Sequence, residues 1–263
     1  MNPIHNKNYT YLLLSLLLLF SSCAQQKKPL VGEYVFRKST DFFFTPPPSL
    51  PCERPPYPWE RQEVGGYPLI TKEFFRCKGN PLNPVAEKKR PGKESFFYRD
   101  CSGNHGLPLR KGKEFVYPCL LDLLNYIQER CEKQVVITTG HRCPVHNIYA
   151  DSSSFNWGSK HMLGAEVDFY VEGMERESDK IITLIQEFYG EEPFKRYTQG
   201  NLNVSTEPWY NKEVFVKLYL AEEGRDADNQ HPYPYIGIQV RFDRDTGEKV
   251  TFDQTLSENY LRN

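Results

Sequence analysis

The hydrophobic pattern along the chain becomes regular only after Phe115. Between Phe115 and Cys131, leucine and isoleucine recur at the three- and four-residue spacing of one helical face, which predicts a helix. A second helix is predicted from the capping pair Ser178-Asp179 to Phe188. Alternating or β-branched runs predict four strands over residues 134–138, 166–171, 214–220 and 235–242. This order of elements predicts an α+β fold in which a small antiparallel sheet packs with helices.

The region before this domain, residues 23–113, has an irregular composition. Seven prolines between Pro46 and Pro58 exclude a regular helix or a central strand in that segment. Two similar stretches, 73–80 and 95–104, each predict an aromatic strand closed by a Gly-Asn turn. Their paired phenylalanines favour a core position, with a carbohydrate-binding surface as the alternative. We therefore expect a Pro-rich, cysteine-containing region (23–113) followed by a domain over 114–263.

The amino terminus has the pattern of an export signal over residues 1–22. The apolar run Leu12–Phe20 is too short to cross a bilayer. It is followed by Phe20-Ser21-Ser22-Cys23, which resembles the bacterial lipobox, although Phe20 departs from the usual Leu, Val or Ile. This resemblance implies that Cys23 is lipidated and anchors the protein to a membrane facing the periplasm; Ala24 favours the outer membrane. An ordinary secretory signal is the alternative.

Six further cysteines are consistent with an oxidising compartment. They are Cys52, Cys77, Cys101, Cys119, Cys131 and Cys143. An even number in an exported chain predicts three disulfides, and the lack of a CxxC spacing argues against a zinc finger. The predicted helix covers about 18 Å after Cys119, and the returning strand covers about 26 Å. The sequence therefore predicts a Cys119–Cys143 disulfide, which leaves Cys131 to hold the amino-terminal region.

The charge composition narrows the classes of partner. The chain has 33 Lys and Arg against 34 Asp and Glu, a net charge of -1. No basic surface for nucleic acid is predicted from this balance. The lack of a second apolar run argues against a polytopic membrane protein.

Two motifs carry the chemistry of the chain. They are the segment from Ile137 to Asn147, Ile-Thr-Thr-Gly-His-Arg-Cys-Pro-Val-His-Asn, and the segment from Trp157 to Phe169, which contains Ser-Lys-His-Met-Leu-Gly-Ala-Glu-Val-Asp. His161 precedes a glycine turn and Asp168 lies in the following strand, so the two side chains can converge on one cation. An imidazole nitrogen and a carboxylate oxygen are ligands of hydrolytic zinc sites.

Together the motifs resemble those of the zinc D-Ala-D-Ala carboxypeptidases and dipeptidases of the hedgehog/DD-peptidase superfamily. The resemblance covers about residues 115–243 and implies that fold for the domain, with His161 and Asp168 as zinc ligands. It also implies that Arg142, together with Ser159, binds substrate. A guanidinium has the bidentate geometry that a peptide carboxylate requires.

The third zinc ligand of the family is missing. If Glu207-Pro208-Trp209-Tyr210 matches the family motif, Tyr210 replaces the histidine. If the segment 235–241 matches instead, which the strand order favours, Gly237 and Gln239 stand where His and Asp are expected. We rank the substitutes as His231, then Glu166, then Glu207, with a second water molecule as the default. Glu166 shares a strand face with Asp168, and Glu166 or Glu207 is the candidate catalytic carboxylate.

Two functions are compatible with these motifs. The first is a lipid-anchored periplasmic zinc peptidase of the D,D-carboxypeptidase type that acts on peptidoglycan stem peptides. The alternative is an inactive relative that keeps the groove to bind cell-wall peptide or a protein partner. A structural envelope lipoprotein is the third hypothesis.

Overall fold

The structure is a computed structural model that describes residues 62–89, 94–103, 105–151, 158–198, 206–223 and 226–261. All of these belong to one compact unit, Pro55–Asn263. The predicted signal peptide, Cys23, the proline run and Cys52 lie outside the described residues. Within those ranges, every helix is too short or too polar to cross a membrane.

A six-stranded antiparallel sheet forms the centre of the unit. The helices are α1 (Pro118–Cys131), α2 (Pro144–Ala150), α3 (Ser178–Phe188) and α4 (Gln254–Glu258). The strands are β1 (Glu63–Val64), β2 (Tyr67–Pro68), β3 (Ala86–Lys89), β4 (Ser95–Tyr98), β5 (Leu109–Arg110), β6 (Lys113–Glu114), β7 (Val135–Thr139), β8 (Glu166–Val171), β9 (Lys195–Arg196), β10 (Trp209–Tyr210), β11 (Val214–Tyr219) and β12 (Tyr235–Val240). The central sheet has the order β7-β8-β12-β11-β10-β9, and β1–β6 form three small hairpins.

One face of the central sheet is apolar and forms the core with α1 and α3. Val167 and Phe169 of β8 and Ile238 of β12 are fully buried and share one hydrophobic cluster with Leu124 of α1 and Ile181 of α3. Because side chains alternate along a strand, the intervening residues point to the opposite face. That opposite face carries the candidate site.

The hydrophobic periodicity located α1, α3 and the four longest strands of the central sheet, β7, β8, β11 and β12. The predicted bounds of β8 are those observed, and α1 starts at Pro118, where proline suits the first helical turn. Helix α3 covers Ser178–Phe188, but the predicted cap is wrong: Ser178 and Asp179 lie inside the helix, and Glu177 precedes it without a side-chain cap hydrogen bond. The structure is accordingly a mixed α and β fold, with more strands in its sheet than the four predicted. The pattern missed α2 and α4, the four-residue strand β3 and the two-residue strands β1, β2, β5, β6, β9 and β10, which are too short to show a period.

The described part of the amino-terminal region packs onto the same core. Phe75 is fully buried in the main cluster, and Asn125 of α1 hydrogen bonds to the backbone N–H and carbonyl of Ile70. The strand predicted over 73–80 is wrong, since residues 72–75 form a 3₁₀ helix capped by Thr71. The second aromatic stretch does contain a strand, β4. Its phenylalanines, Phe96 and Phe97, are 43% and 69% exposed and so do not fill the core.

The predicted Cys119–Cys143 disulfide is wrong. Both residues are free thiols, as are Cys77, Cys101 and Cys131. Cys119 lies in the first turn of α1 and packs into the main core, whereas Cys143 lies in a separate cluster with Cys77 and Cys101. The estimate failed because it compared only the lengths of the helix and the returning strand. It did not determine on which side of α1 the strand returns.

Candidate metal centre and cavity

A polar cavity of about 290 Å³ opens on the face of the sheet opposite the core. Its charged lining comprises the acids Asp151, Glu166, Asp168 and Asp226 and the bases Arg142, Lys160 and Lys217. His161, Ser159, Gln239 and the rings of Tyr219, Tyr235 and Phe252 also line it. The cavity therefore brings together five of the predicted site residues from three segments of the chain. They are Arg142, Ser159, His161, Glu166 and Asp168.

Local structure explains how His161 reaches this cavity. It lies in the 3₁₀ helix Lys160–Leu163, whose first turn is capped by the Ser159 hydroxyl accepting from the His161 backbone N–H at 3.2 Å. Gly164 ends the turn in the left-handed region, with a φ of 65°. The chain then enters β8, where Glu166 and Asp168 lie two residues apart on the cavity face.

His161, Glu166 and Asp168 form a buried group of possible metal ligands. One ligand atom of each lies within 4.8 Å of the others. His161 Nε2 is 3.5 Å from Asp168 Oδ2 and 3.8 Å from Glu166 Oε1. The other ring nitrogen, Nδ1, lies 2.8 Å from the carbonyl oxygen of Gly140, to which it donates if it carries the proton. A histidine held in this way presents the unprotonated Nε2 to a metal.

Neighbouring polar groups fix both carboxylates. Gln239 Nε2 donates to Glu166 Oε1 at 2.6 Å, and Asn229 Nδ2 donates to Asp168 Oδ2 at 3.1 Å. Burial by itself would raise the pKa of Asp168, but the charges of His161 and Arg142 hold it below its usual value. Burial likewise opposes charge on His161, yet the two carboxylates raise the pKa of its ring. The group thus attracts a cation, either a proton on His161 or a metal ion.

Arg142 is engaged within the protein on two of its three nitrogens. Its Nε donates to Asp228 Oδ2 at 2.7 Å and its Nη2 to Asp226 Oδ2 at 2.5 Å. Burial raises the pKa of Asp226 despite the nearby guanidinium. Burial also acts to raise the pKa of Asp228, but Arg142 and His146 outweigh it and hold that pKa well below its usual range. Arg142 Nη1 alone donates to no residue in the described ranges.

Two predicted residues lie away from the cavity. The ring of His231 packs against Tyr170, Tyr233 and Tyr235, with centroid distances of 4.9, 5.9 and 5.7 Å. In the structure His231 thus lies in this aromatic cluster and not among the side chains that line the cavity, and its role as third ligand stays a prediction. Glu207 is exposed before β10 and does not line the cavity. Glu166, which the sequence analysis ranked second as third ligand, lies beside His161 and Asp168 in the buried group.

The sheet register shows what stands in place of a third histidine. Gly237 of β12 lies opposite Asp168 of β8 on one side and opposite Lys217 of β11 on the other. A Cβ atom at Gly237 would lie 2.9 Å from Asp168 Oδ1, so only glycine leaves that carboxylate undisturbed. Gln239 lies opposite Glu166 in the same register.

Lys217 and the aspartates at 226 and 228 were missed by the sequence reasoning. Lys217 is only 9% exposed and makes no salt bridge with any residue in the described ranges. The lysine in the middle of an apolar strand could have identified this position, since lysine is almost never fully buried unless it is paired. Asp226 and Asp228 lie in a polar loop without periodicity, and no pattern there marked them.

The donor set suits zinc or a similar transition ion. One neutral imidazole nitrogen and two carboxylate oxygens are ligands that hydrolytic zinc sites use, and three protein ligands leave a coordination position open. Lys217, which makes no salt bridge within the described part of the chain, and Arg142 Nη1 supply positive groups for an anionic ligand beside them. Comparison with known proteins adds no family assignment: no protein-family profile, curated protein or solved structure matches this chain.

Proposed function

We propose that this protein is a lipid-anchored envelope zinc peptidase of the D,D-carboxypeptidase type, which removes the terminal D-Ala from peptidoglycan stem peptides. One observation carries the proposal: His161 Nε2, Glu166 and Asp168 face one another in a polar cavity, and His161 Nδ1 is tied to Gly140. The identity of the substrate rests on the resemblance of the two sequence motifs to the zinc D-Ala-D-Ala peptidases.

His161, Glu166 and Asp168 are the residues that would hold the metal. A zinc ion bound there supplies Lewis acidity toward a carbonyl oxygen and toward water. Gln239 and Asn229 keep the two carboxylates in place for this role through the hydrogen bonds already described.

Positive groups in the cavity account for the recognition of a terminal carboxylate. The side chain of Lys217 is buried and lines the cavity, and Arg142 contributes its remaining nitrogen, Nη1. Arg142 differs here from what the resemblance implies, since its bidentate edge already binds Asp226 and Asp228. We therefore assign Lys217 the larger share of carboxylate binding. Charge-assisted hydrogen bonds of this kind strengthen when water is excluded.

The activity is tested with the mature chain, a synthetic peptide ending in D-Ala-D-Ala, and the zinc content after dialysis. His161→Ala is expected to contain one zinc ion fewer per chain than the parent and to release no D-Ala, because a shell of two carboxylates holds the metal poorly. His231→Ala is the matched control and is expected to keep both properties. A parent protein that releases no D-Ala when loaded with zinc would contradict the peptidase.

Lys217→Met separates binding from chemistry. It is expected to raise KM for the peptide with little change in zinc content, because the side chain is not a ligand. A peptide that is amidated at its carboxyl terminus should then be bound equally by parent and variant. If the variant instead loses zinc, Lys217 serves the metal group and not the substrate.

The cellular location is tested separately at Cys23. The lipobox resemblance predicts that the mature chain begins at a lipidated Cys23 and partitions with membranes. Cys23→Ser is expected to release the protein from the membrane fraction. An intact mass that shows an unmodified amino terminus at another residue would contradict the anchor.

A second function is favoured by one feature of the site. Gly237 lies opposite Asp168, at the position where the resemblance leads one to expect a histidine. The loss of that histidine is consistent with a groove that binds stem peptide without cleaving it. In that case the parent chain binds a D-Ala-D-Ala peptide by calorimetry and releases no D-Ala at any zinc concentration.

A further inference from the structure

A buried histidine outside the cavity lies between two carboxylates. His146 of α2 is only 1% exposed. Its Nδ1 is 2.6 Å from Asp100 Oδ1, and its Nε2 is 2.9 Å from Asp228 Oδ1. Asp100 follows β4, and Asp228 belongs to the 3₁₀ helix Ala227–Asn229. Three separate segments of the chain therefore meet at one imidazole, and both of its nitrogens are within hydrogen-bond distance of an aspartate oxygen.

Other donors keep both carboxyl groups ionised. Asp100 Oδ2 accepts from the backbone N–H of Asn80 at 2.8 Å and from the side-chain amide of Asn83 at 2.7 Å. Asp228 Oδ2 accepts from Arg142 Nε at 2.7 Å. Burial acts to raise the pKa of each carboxyl group, but the nearby cations and N–H donors outweigh it and hold both pKa values below the usual range.

Two ionised neighbours determine the protonation state of the ring. A carboxylate only accepts hydrogen bonds, and a neutral imidazole has a single N–H, so it could bind just one of the two aspartates. Its other nitrogen would then face a carboxylate oxygen with no proton between them. Burial opposes a charge on His146, yet Asp228 and Asp100 outweigh it and raise the pKa of the ring. The contacts on both sides thus match an imidazolium that donates from each nitrogen.

We propose that His146 is a buried imidazolium and a positioning residue, which orients Arg142 in the cavity through Asp228. The ring of His146 does not itself line the cavity. It binds one oxygen of Asp228, and Arg142 Nε binds the other. Because Asp228 is held between two cations, the direction of the guanidinium is fixed from outside the cavity. The proposal is independent of the peptidase function.

The groups packed around the ring determine how it responds to pH. They are Asp100, Cys77 and Cys101 from the segment before β5, Cys143 and Tyr149 of α2 and its cap, His141 and Arg142 after β7, and Asp228 with the nearby Lys78. Because the pKa of His146 is raised, its stabilising contacts are fully present below the unfolded pKa of about 6.5. They are lost as the pH rises through the folded pKa.

Nitrogen-15 NMR of the labelled, metal-free mature chain measures the charge of the ring. Both nitrogens of an imidazolium carry a proton and resonate close together, whereas the unprotonated nitrogen of a neutral ring resonates far from its partner. We expect both His146 nitrogens to be protonated at pH 7. Asp100→Asn should lower the pH at which the ring loses its proton, because one carboxylate is removed. Asp122→Asn is the matched control, since Asp122 is exposed and pairs with Arg244 at 2.8 Å, and should leave that pH unchanged.

The Nε–H of Arg142 reports the positioning. Held by Asp228, this proton should exchange slowly with water. His146→Gln keeps a similar side-chain size without the charge and should speed the exchange about threefold or more. In the parent, raising the pH through the deprotonation of His146 should add an increase beyond ordinary base catalysis, and His146→Gln should lack this increase.

Two results would overturn the proposal. One is a His146 ring with an unprotonated nitrogen at pH 7 in the parent, which needs no variant to fold. The other is the same Arg142 exchange rate in His146→Gln as in Asp122→Asn. A protein that releases no D-Ala contradicts the peptidase and leaves both NMR results unaffected, so the two proposals fail separately.

Discussion

Replacing Arg142 by methionine tests whether this residue stabilises the fold or binds the substrate. Methionine keeps much of the side-chain volume and removes the charge together with both hydrogen bonds to Asp226 and Asp228. The resemblance to the zinc peptidases predicts that the change abolishes substrate binding. The structure predicts that it also destabilises the protein, because the two carboxylates lose their cation.

The expected cost follows from the burial of this ion group. The side chain of Arg142 is 4% exposed, and those of Asp226 and Asp228 are 17% and 8% exposed. Removing one partner of a buried ion pair costs about 3–5 kcal/mol, since it leaves buried charge that is no longer fully compensated; Asp228 keeps its contact with His146 at 2.9 Å. For a chain of this size, such a loss lowers the melting temperature by about 6–20 °C. Arg142→Lys should fall between parent and Arg142→Met, because an ammonium cannot reproduce the two-pronged contact.

Thermal and urea denaturation of the zinc-loaded mature chain measure this cost. Arg130→Met is the matched control, because Arg130 pairs with Glu187 at 3.9 Å with both side chains about half exposed. Such surface pairs contribute about 0–1 kcal/mol. A double-mutant cycle that combines Arg142→Met with Asp228→Asn should show a coupling free energy, because neutralising the carboxylate removes part of the penalty.

The reasoning is refuted if Arg142→Met is no less stable than Arg130→Met. Should D-Ala release then be lost while stability is kept, Arg142 is a substrate ligand, as the resemblance implies, and the contacts with Asp226 and Asp228 contribute little.

Three further predictions concern single sites. Gly237→Ala should weaken zinc binding in the cavity about 10-fold or more, since the new Cβ would displace the Asp168 carboxylate; an unchanged affinity in a chelator competition titration argues against this geometry. Cys119 should resist iodoacetamide in the folded protein, because burial raises the pKa of its thiol to about 12 and leaves little thiolate at neutral pH; rapid labelling seen by mass spectrometry would contradict this. Burial acts to raise the pKa of Asp243, but Arg110 and two backbone N–H groups hold it below its usual value. Its stabilisation is therefore present above the unfolded pKa of about 3.9 and lost as the pH falls further. Asp243→Asn should accordingly cost more stability at neutral pH than near pH 3 by urea denaturation, and an equal cost at both would exclude the ionic contribution.

The sequence predicted those parts of the site that lie on regular elements. Glu166 and Asp168 were placed on one strand face by alternation alone, and that placement is confirmed by the register of β8 with β12. His161 was predicted from its position before the turn at Gly164, and the structure brings it to the same carboxylates. Periodicity is informative here because each side chain follows from its neighbours on the strand.

The parts that depend on loop paths were not predictable in the same way. His231 was ranked first as third ligand because it is the histidine closest to the last strand, but Tyr170 and Tyr233 hold its ring. Asp226 and Asp228, which hold Arg142, lie in that same loop. A loop's conformation is fixed by contacts with distant segments, and no local pattern records them.

Gly140, Arg142 and Cys143 join the cavity to the amino-terminal region. Gly140 offers its carbonyl oxygen to His161, Arg142 binds the aspartates of the 222–234 loop, and Cys143 packs with two cysteines from residues 62–113. The short connection between β7 and α2 therefore orients the His161 imidazole in the cavity. The same connection packs against residues before Phe115, to which the peptidase resemblance does not extend. The described residues between 62 and 103 therefore restrain the backbone that orients a candidate metal ligand, although none of the described side chains before Phe115 lines the cavity.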